Sequence, residues 1–159
     1  MPLPQSILTR LQYQHETVEI LIDGMSEELL KKQVHPGKWS PFENIAHLAA
    51  YQPVFANRID RIGAETDPDF ERYIAERDPL FPAYLGQSLA RLTATIKADR
   101  ASIIVKIKGL QDDDLQRAGL HPRYGRMTLA QWTEFFLLHE AHHLFTLFML
   151  VRDPQFLPR

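Results

Sequence analysis

The sequence predicts an all-α four-helix bundle, and three of its features lead to that fold class. Four segments repeat apolar residues with the period of an α-helix, and none shows the alternation of a half-buried strand. Two of these segments begin with a capping box, which marks a helix N-terminus. A long connection between the second and third helices allows an up-down-down-up order. The 159 residues are expected to form one domain, 1–159.

The first two helices are predicted from local signals. The first runs from about Pro4 to Gly24, with one apolar side. The second begins after Ser40, which is the N-cap, with Pro41 at the first helical position and Glu43 closing a capping box. Pro53 lies inside this helix and removes one backbone hydrogen bond, so we expect a bend there.

The second half of the chain supplies two more helices. An acidic, proline-containing connection, 63–79, is long enough to return along the bundle. The third helix is predicted to open at Asp78–Pro79 and to end at Gly109, with one further turn at 112–115. A loop is expected over 119–127. The fourth helix begins after Thr128, whose capping box is completed three residues later, and it extends to about residue 151.

Composition excludes several classes of function. The chain has no cysteine, so disulfides, thiolate metal sites and cysteine nucleophiles are absent. The net charge of -2 argues against a nucleic-acid partner. The N-terminus lacks the features of a secretory signal. The apolar stretch 132–151 contains two glutamates and three histidines, which are costly in a membrane. We therefore expect a cytoplasmic protein without a membrane segment.

Histidines in the fourth helix point to a metal site. His139 and His143 are one turn apart, about 40° around the helix, so both can bind one divalent ion. The third ligand must come from another helix: His47 in the second helix is favoured, and His15 in the first is the competitor or lines the pocket beside the ion. His142 could replace His143 as a ligand, carry protons in the outer shell or have a structural role at a dimer contact.

The same residues match the H-E-x-x-H motif of zinc peptidases, with Glu140 as the base. We disfavour that function because no histidine or glutamate follows His143 to complete the site. Glu140 points about 100° away from His139, which predicts an exposed position or a subunit contact. His35 and His121 both precede prolines in predicted loops and are expected to be solvated.

Aromatic residues on the faces of the second and fourth helices are candidates for a dry pocket around the ion. The candidates are Tyr51, Phe55, Trp132 and Phe136. A basic side chain, Arg58 or Arg123, could hold an anionic group of the substrate.

Three stretches of the sequence, in this order and at this separation, resemble the DinB/YfiT-like family of four-helix metal proteins. The stretches are 37–48 (GKWSPFENIAHL), 125–129 (GRMTL) and 139–144 (HEAHHL). The resemblance implies an up-down-down-up bundle and a three-histidine site that carries over onto His47, His139 and His143. It also implies nickel or zinc as the ion, and dimers. Pro53, close to His47, departs from part of the family.

Some members of this family transfer low-molecular-weight thiols to electrophiles, or isomerise small acids with a thiol cofactor. We therefore expect a metalloenzyme for a small-molecule substrate, with thiol-dependent S-transfer preferred and metal-dependent hydrolysis as the alternative. The fourth helix is apolar nearly all round, which is typical of a helix shared with a second subunit. A non-enzymatic, metal-stabilised interaction module that dimerises through this helix is the remaining alternative.

Overall fold

The structure is a computed structural model that describes residues 2–156, and it is a four-helix bundle. The helices, numbered along the chain, are α1 (Gln5–Tyr13), α2 (Thr17–Ile22), α3 (Glu27–Leu30), α4 (Pro41–Ala64), α5 (Phe81–Leu85), α6 (Leu89–Lys108), α7 (Asp112–Gln116) and α8 (Leu129–Val151), with 3₁₀ turns at Gln14–Glu16 and Ala75–Arg77. The four helices of the bundle are α1 with α2, then α4, α6 and α8.

The predicted starts of the second and fourth bundle helices are confirmed. The hydroxyl of Ser40 accepts from the Glu43 amide at 3.2 Å, and the Glu43 carboxylate accepts from the Ser40 amide at 2.7 Å. The same reciprocal pair at Thr128 opens α8. These contacts satisfy amides that the first turn leaves without partners. Helix α4 continues through the exposed Pro53 as far as residue 64.

Two predicted helices are interrupted. A 3₁₀ turn, Gln14–Glu16, divides the first, and from it the Gln14 side chain donates to the Leu137 carbonyl. The third was predicted as one helix from about residue 79, which is wrong. The chain leaves α5 at Gly86, and Ser88 then caps α6 by accepting from the Arg91 amide. The apolar stripe runs across this break, so periodicity alone does not reveal it.

Side-chain contacts between the helices give their directions. Residue numbers rise together in the contacts of α4 with α6 and of the first helix with α8, so both pairs are parallel: Gln52–Arg100, Asp60–Lys106, Arg10–Glu134 and Gln14–Glu140. They run oppositely in the other neighbouring pairs: Gln12–Lys108, Glu19–Lys97, Asn44–His143 and His47–His139. This is the expected up-down-down-up order, with the long connection joining the two parallel helices α4 and α6.

The predicted loop at 119–127 is instead a β-hairpin. Strand β1 (Ala118–His121) pairs antiparallel with β2 (Gly125–Thr128), with Ala118 opposite Thr128. The hairpin also pairs with the long connection, because Leu120 donates to the Pro68 carbonyl and accepts from the Phe70 amide. Strands of four residues are too short for a clear alternation of side chains, so the pairing depends on contacts that are distant in sequence.

Close packing requires a glycine in β1. A Cβ added to Gly119 would lie 2.5 Å from the Phe70 ring and 3.2 Å from Ile62. The backbone of β1 therefore approaches α4 and the connection more closely than another residue would permit. This contact fixes the hairpin over one end of the bundle core.

Helix α8 has a buried face and an exposed one, and both are apolar. Trp132, Phe136 and Leu147 are almost fully buried, whereas Leu138 and Phe145 are 55% and 65% exposed. Within residues 2–156, no helix is long and apolar enough to cross a membrane.

Candidate metal centre

Three imidazoles meet in the bundle, one from α4 and two from α8. The nitrogen atoms that His47, His139 and His143 offer as ligands all lie within 4.8 Å of one another. Nε2 of His47 is 3.1 Å from Nε2 of His139. Two nitrogens on a tetrahedral zinc ion, at the usual Zn–N distance, would be about 3.3 Å apart. The spacing of these rings therefore fits a single cation.

Local sequence explains how the rings meet. His139 and His143 are one turn apart on α8, so both side chains project from the same face. The capping box at Ser40 fixes where α4 begins and hence which face carries His47. The packing of α4 against α8 places the His47 ring beside both others, and the three ring centroids form a triangle with sides of 5.0 Å, 4.3 Å and 4.7 Å.

Burial keeps these three rings neutral. Loss of hydration lowers the pKa of His47 to about 4, of His139 to about 3 and of His143 to about 2. Mutual repulsion between imidazoles that would otherwise be charged adds to this effect. Each ring therefore keeps a lone pair at neutral pH, which is the form that binds a metal.

Asn44 orients one of the rings. Its side-chain NH₂ donates to the Ser40 carbonyl at 3.0 Å, which leaves Oδ1 to accept from Nδ1 of His143 at 3.0 Å. The proton of His143 is thus on Nδ1 and the lone pair on Nε2, as in the outer contacts of metal-bound histidines. Sequence reasoning missed Asn44 as a site residue. Its position three residues before His47, on the same helix face, was the available signal.

The other two rings have buried nitrogens without partners. Within residues 2–156, Nδ1 of His47 and Nδ1 of His139 have no hydrogen-bond partner. Two facing Nε2 atoms 3.1 Å apart can be joined by at most one shared proton, whereas a cation can bind both lone pairs. The donor set therefore fits a divalent metal better than it fits a hydrogen-bonded core cluster.

A cavity of about 350 Å³ opens beside the three histidines. The ring of Trp39 lies 5.1 Å from that of His47, and the ring of Tyr51 lies 4.1 Å from that of His139. Burial raises the pKa of Tyr51, and its hydroxyl accepts from Arg58 at 2.7 Å. The wall beside the triad is therefore aromatic with one polar edge, as in sites that bind small molecules.

The structure separates the predicted pocket residues into two groups. Tyr51 and Arg58 line the cavity, whereas Trp132 and Phe136 lie behind it in the core. Phe136 stacks on Phe55, which is also part of the core. Trp132 lies under the Arg58 guanidinium, 4.9 Å away, and so supports a residue of the wall.

The remaining fourth-helix histidine lies outside the triad. His142 is exposed, and its ring centroid is 5.1 Å from that of His143. His15, the competing third ligand, is buried outside both the triad and the cavity lining. Burial, followed by the charges of Arg100 and Lys97, lowers the pKa of His15 to about 4.

The expectation that Glu140 is exposed or at a subunit contact is wrong. This residue is 1% exposed, and its carboxylate is paired with Arg100, which is also fully buried. Gln14 donates to the second carboxylate oxygen at 2.8 Å. Ion pairing and hydrogen bonding allow a charged carboxylate to be buried here. Glu140 is thus occupied in the core, which removes the general base that the peptidase motif requires.

The expectation that His121 is solvated is also wrong. Its ring is 7% exposed and lines the same cavity as the triad. Pairing of β1 with β2 turns the ring inward, where Nδ1 accepts from the amides of Arg123 at 3.1 Å and Tyr124 at 3.2 Å. His35 is exposed, as predicted, and lies 3.3 Å from the carboxylate of Asp153.

Comparisons with known proteins agree with this architecture. A sequence model of the DinB superfamily matches residues 10–147. The uncharacterised protein YuaE from Bacillus subtilis (strain 168) is 24% identical over 135 residues, which are 77% of this chain and 83% of YuaE. The two solved structures described next are only 16% and 21% identical to this chain, so their likeness is evidence for the fold alone.

Two solved structures share the fold. One is YfiT from Bacillus subtilis, described as a probable metal-dependent hydrolase with an unusual four-helix bundle topology. It superposes with a TM-score of 0.80 at 16% identity, covering 93% of this chain and 85% of YfiT. The other is TT2238, a four-helix bundle protein, with a TM-score of 0.65 at 21% identity over 90% of this chain and 96% of TT2238.

Proposed function

The chain belongs to the DinB superfamily, and from this premise we propose that it is a metal-dependent enzyme acting on a small molecule. His47, His139 and His143 hold one divalent cation, nickel or zinc, at the edge of the cavity. The observation that carries the proposal is the convergence of three neutral imidazoles from two helices next to a space of about 350 Å³. Sites with three protein ligands and an adjacent open space are typical of catalytic rather than structural ions.

The preferred reaction is transfer of a low-molecular-weight thiol to an electrophile: the thiol loses its proton to solvent, its sulfur forms a bond to the electrophilic carbon, and the leaving group on that carbon departs as an anion. A divalent cation held by the three imidazoles would lower the pKa of a thiol or water that it binds, and so would supply a nucleophile near neutral pH. The rings of Trp39 and Tyr51 lie against His47 and His139 and shield the proposed metal site from water. Oδ1 of Asn44 accepts from Nδ1 of His143, which leaves the lone pair of Nε2 free for the cation.

The thiol preference rests on the resemblance to thiol-transferring members of the family. Hydrolysis is the alternative, and the description of the structural neighbour YfiT as a probable metal-dependent hydrolase favours it. Both reactions use the same three ligands and differ in the nucleophile. Cytoplasmic location remains part of the proposal, because low-molecular-weight thiols are reduced there.

One set of assays distinguishes the two reactions. Zinc- and nickel-loaded protein is incubated with a fluorogenic bimane electrophile, with and without cysteine as the thiol, and separately with a nitrophenyl ester. Conjugation that requires both metal and thiol supports S-transfer. Ester turnover that requires metal but is unchanged without thiol supports hydrolysis. His47→Ala removes a ligand and abolishes either activity, whereas His35→Ala alters an exposed histidine and serves as the control.

The exposed apolar face of α8 favours a homodimer, either of the enzyme or of a non-enzymatic module. Leu138, Phe145 and Met149 are each more than half exposed and lie along one side of the helix. We propose that a second copy of the chain covers this stripe, which is self-complementary under a two-fold axis. Sedimentation of wild type and of Phe145→Glu tests this: a dimer that becomes monomeric supports it, and a monomeric wild type contradicts it.

A further inference from the structure

His121 presents a fixed hydrogen-bond donor at the cavity. Its Nδ1 accepts from two backbone amides, those of Arg123 and Tyr124, so that nitrogen carries no proton. The ring is held in place by Tyr124, stacked at 4.7 Å, and by Trp132 at 5.4 Å. Burial and three neighbouring arginines lower the pKa of His121, so the ring is neutral. The single proton of the ring is therefore on Nε2.

Positive charge collects around this donor. Arg58, Arg72 and Arg123 line the same cavity as His121, and Glu76 is the acidic side chain in that lining. Arg58 is 4% exposed and bonds to neutral groups, the Tyr51 hydroxyl and the Glu71 carbonyl. Within residues 2–156, none of these three arginines forms an ion pair with a carboxylate.

A buried guanidinium without a carboxylate partner is costly unless another anion compensates its charge. The fold contains a contrasting case, because the fully buried Arg100 is paired with Glu140. The lining of the cavity therefore combines two kinds of chemistry: three neutral imidazoles, and a neutral hydrogen-bond donor with three cations.

We propose that His121, Arg58, Arg72 and Arg123 form a subsite for the anionic group, a carboxylate or a phosphoryl group, of an organic substrate. Nε2–H of His121 and the guanidinium groups donate to its oxygens, and the rest of the molecule extends towards the triad. The inference rests on the proposed function, since it names a substrate class for the same cavity. It concerns binding by residues outside the triad, which can be measured with or without a metal.

The test is a titration with two unreactive probes, benzoate and inorganic phosphate, followed by the NMR signals of the His121 ring. Zinc-loaded and chelator-treated proteins are compared. We expect saturable binding of at least one probe in both forms, and the preferred probe identifies the group. Arg123→Ala alters an exposed residue and is expected to weaken binding about tenfold or more, the effect of losing a charge-assisted hydrogen bond.

Two substitutions at His121 separate its role in binding from its role in the hairpin. In His121→Asn, the short amide can still accept from the turn amides, but it provides no donor at the position of Nε2, so binding should weaken about tenfold. In His121→Gln, the longer amide can place an N–H there and should restore most of the affinity. If His121 only stabilised the hairpin, His121→Gln would not bind the probe more tightly than His121→Asn.

Arg126→Ala is the matched control, because this arginine lies on the same hairpin but pairs with Asp67. It should leave binding unchanged. The inference is overturned if neither probe binds, if Arg126→Ala weakens binding as much as Arg123→Ala, or if binding requires zinc and ignores the His121 variants. Hairpin-dependent binding in a protein that never binds a metal would instead refute the proposed function and leave this inference intact.

Discussion

Oδ1 of Asn44 lies 3.0 Å from Nδ1 of His143 and fixes the tautomer of that ring. Outer contacts of this kind orient metal ligands and raise their basicity. Asn44→Ala should therefore weaken metal affinity about 10- to 100-fold, measured by competition with a chromophoric chelator. Asn57→Ala, an exposed asparagine on the same helix, is the control. Equal affinity in wild type and Asn44→Ala would show that this contact does not support a ligand.

The buried pair of Arg100 and Glu140 predicts a large effect on stability. Glu140→Gln leaves the Arg100 charge buried without its partner, so the free energy of unfolding should fall by about 3 kcal/mol or more. Glu134→Gln, which breaks the partly exposed pair with Arg10, should cost no more than about 1 kcal/mol. Urea denaturation measures both. Similar losses in the two variants would contradict the assigned burial.

The lowered pKa values of the triad predict how the metal-free protein responds to pH. The pKa of each ring is about 6.5 in the unfolded chain and about 4 or lower in the fold, so below pH 6.5 the unfolded state binds more protons. The stability is therefore complete above pH 6.5 and is lost as the pH falls towards 4. Urea denaturation from pH 8 to pH 5 should show this loss, with a shallower slope in His143→Leu. An unchanged slope would count against neutral burial of that ring.

Substitutions at two glycines, one crowded and one not, should change the stability of the protein in opposite directions. Gly119→Ala places a methyl group against the Phe70 ring and should destabilise the protein by about 1–3 kcal/mol. Gly63→Ala lies within α4 with nothing nearby, so it should stabilise the protein by up to about 1 kcal/mol. Thermal unfolding of both variants measures the difference. A neutral Gly119→Ala would mean that the hairpin packs less tightly.

Local chemistry made much of the bundle predictable. The capping boxes at Ser40 and Thr128 are complete within four residues, so the sequence reveals where α4 and α8 begin. The spacing of His139 and His143 is likewise a property of one helix. His47 needed a second argument, because its distance from α8 depends on how the two helices pack. The antiparallel packing brings these three residues together.

The missed features depend on contacts between residues that are far apart in the chain. In the sequence, Glu140 is only a polar residue on an apolar helix, because its partner Arg100 is 40 positions away in the chain. His121 reads as a loop residue because its strand is short and pairs partly with the long connection. The break before α6 was hidden because the apolar stripe continues on both sides of Ser88, which caps α6.

The central claim is that His47, His139 and His143 hold one divalent cation. Calorimetric titration of tag-free, metal-depleted protein with zinc and with nickel tests it most directly, alongside the His139→Ala and His142→Ala variants. We expect one ion per chain in wild type and in His142→Ala, and loss of that binding in His139→Ala. Binding of one ion with undiminished affinity in His139→Ala would contradict it, as would the absence of binding in wild type.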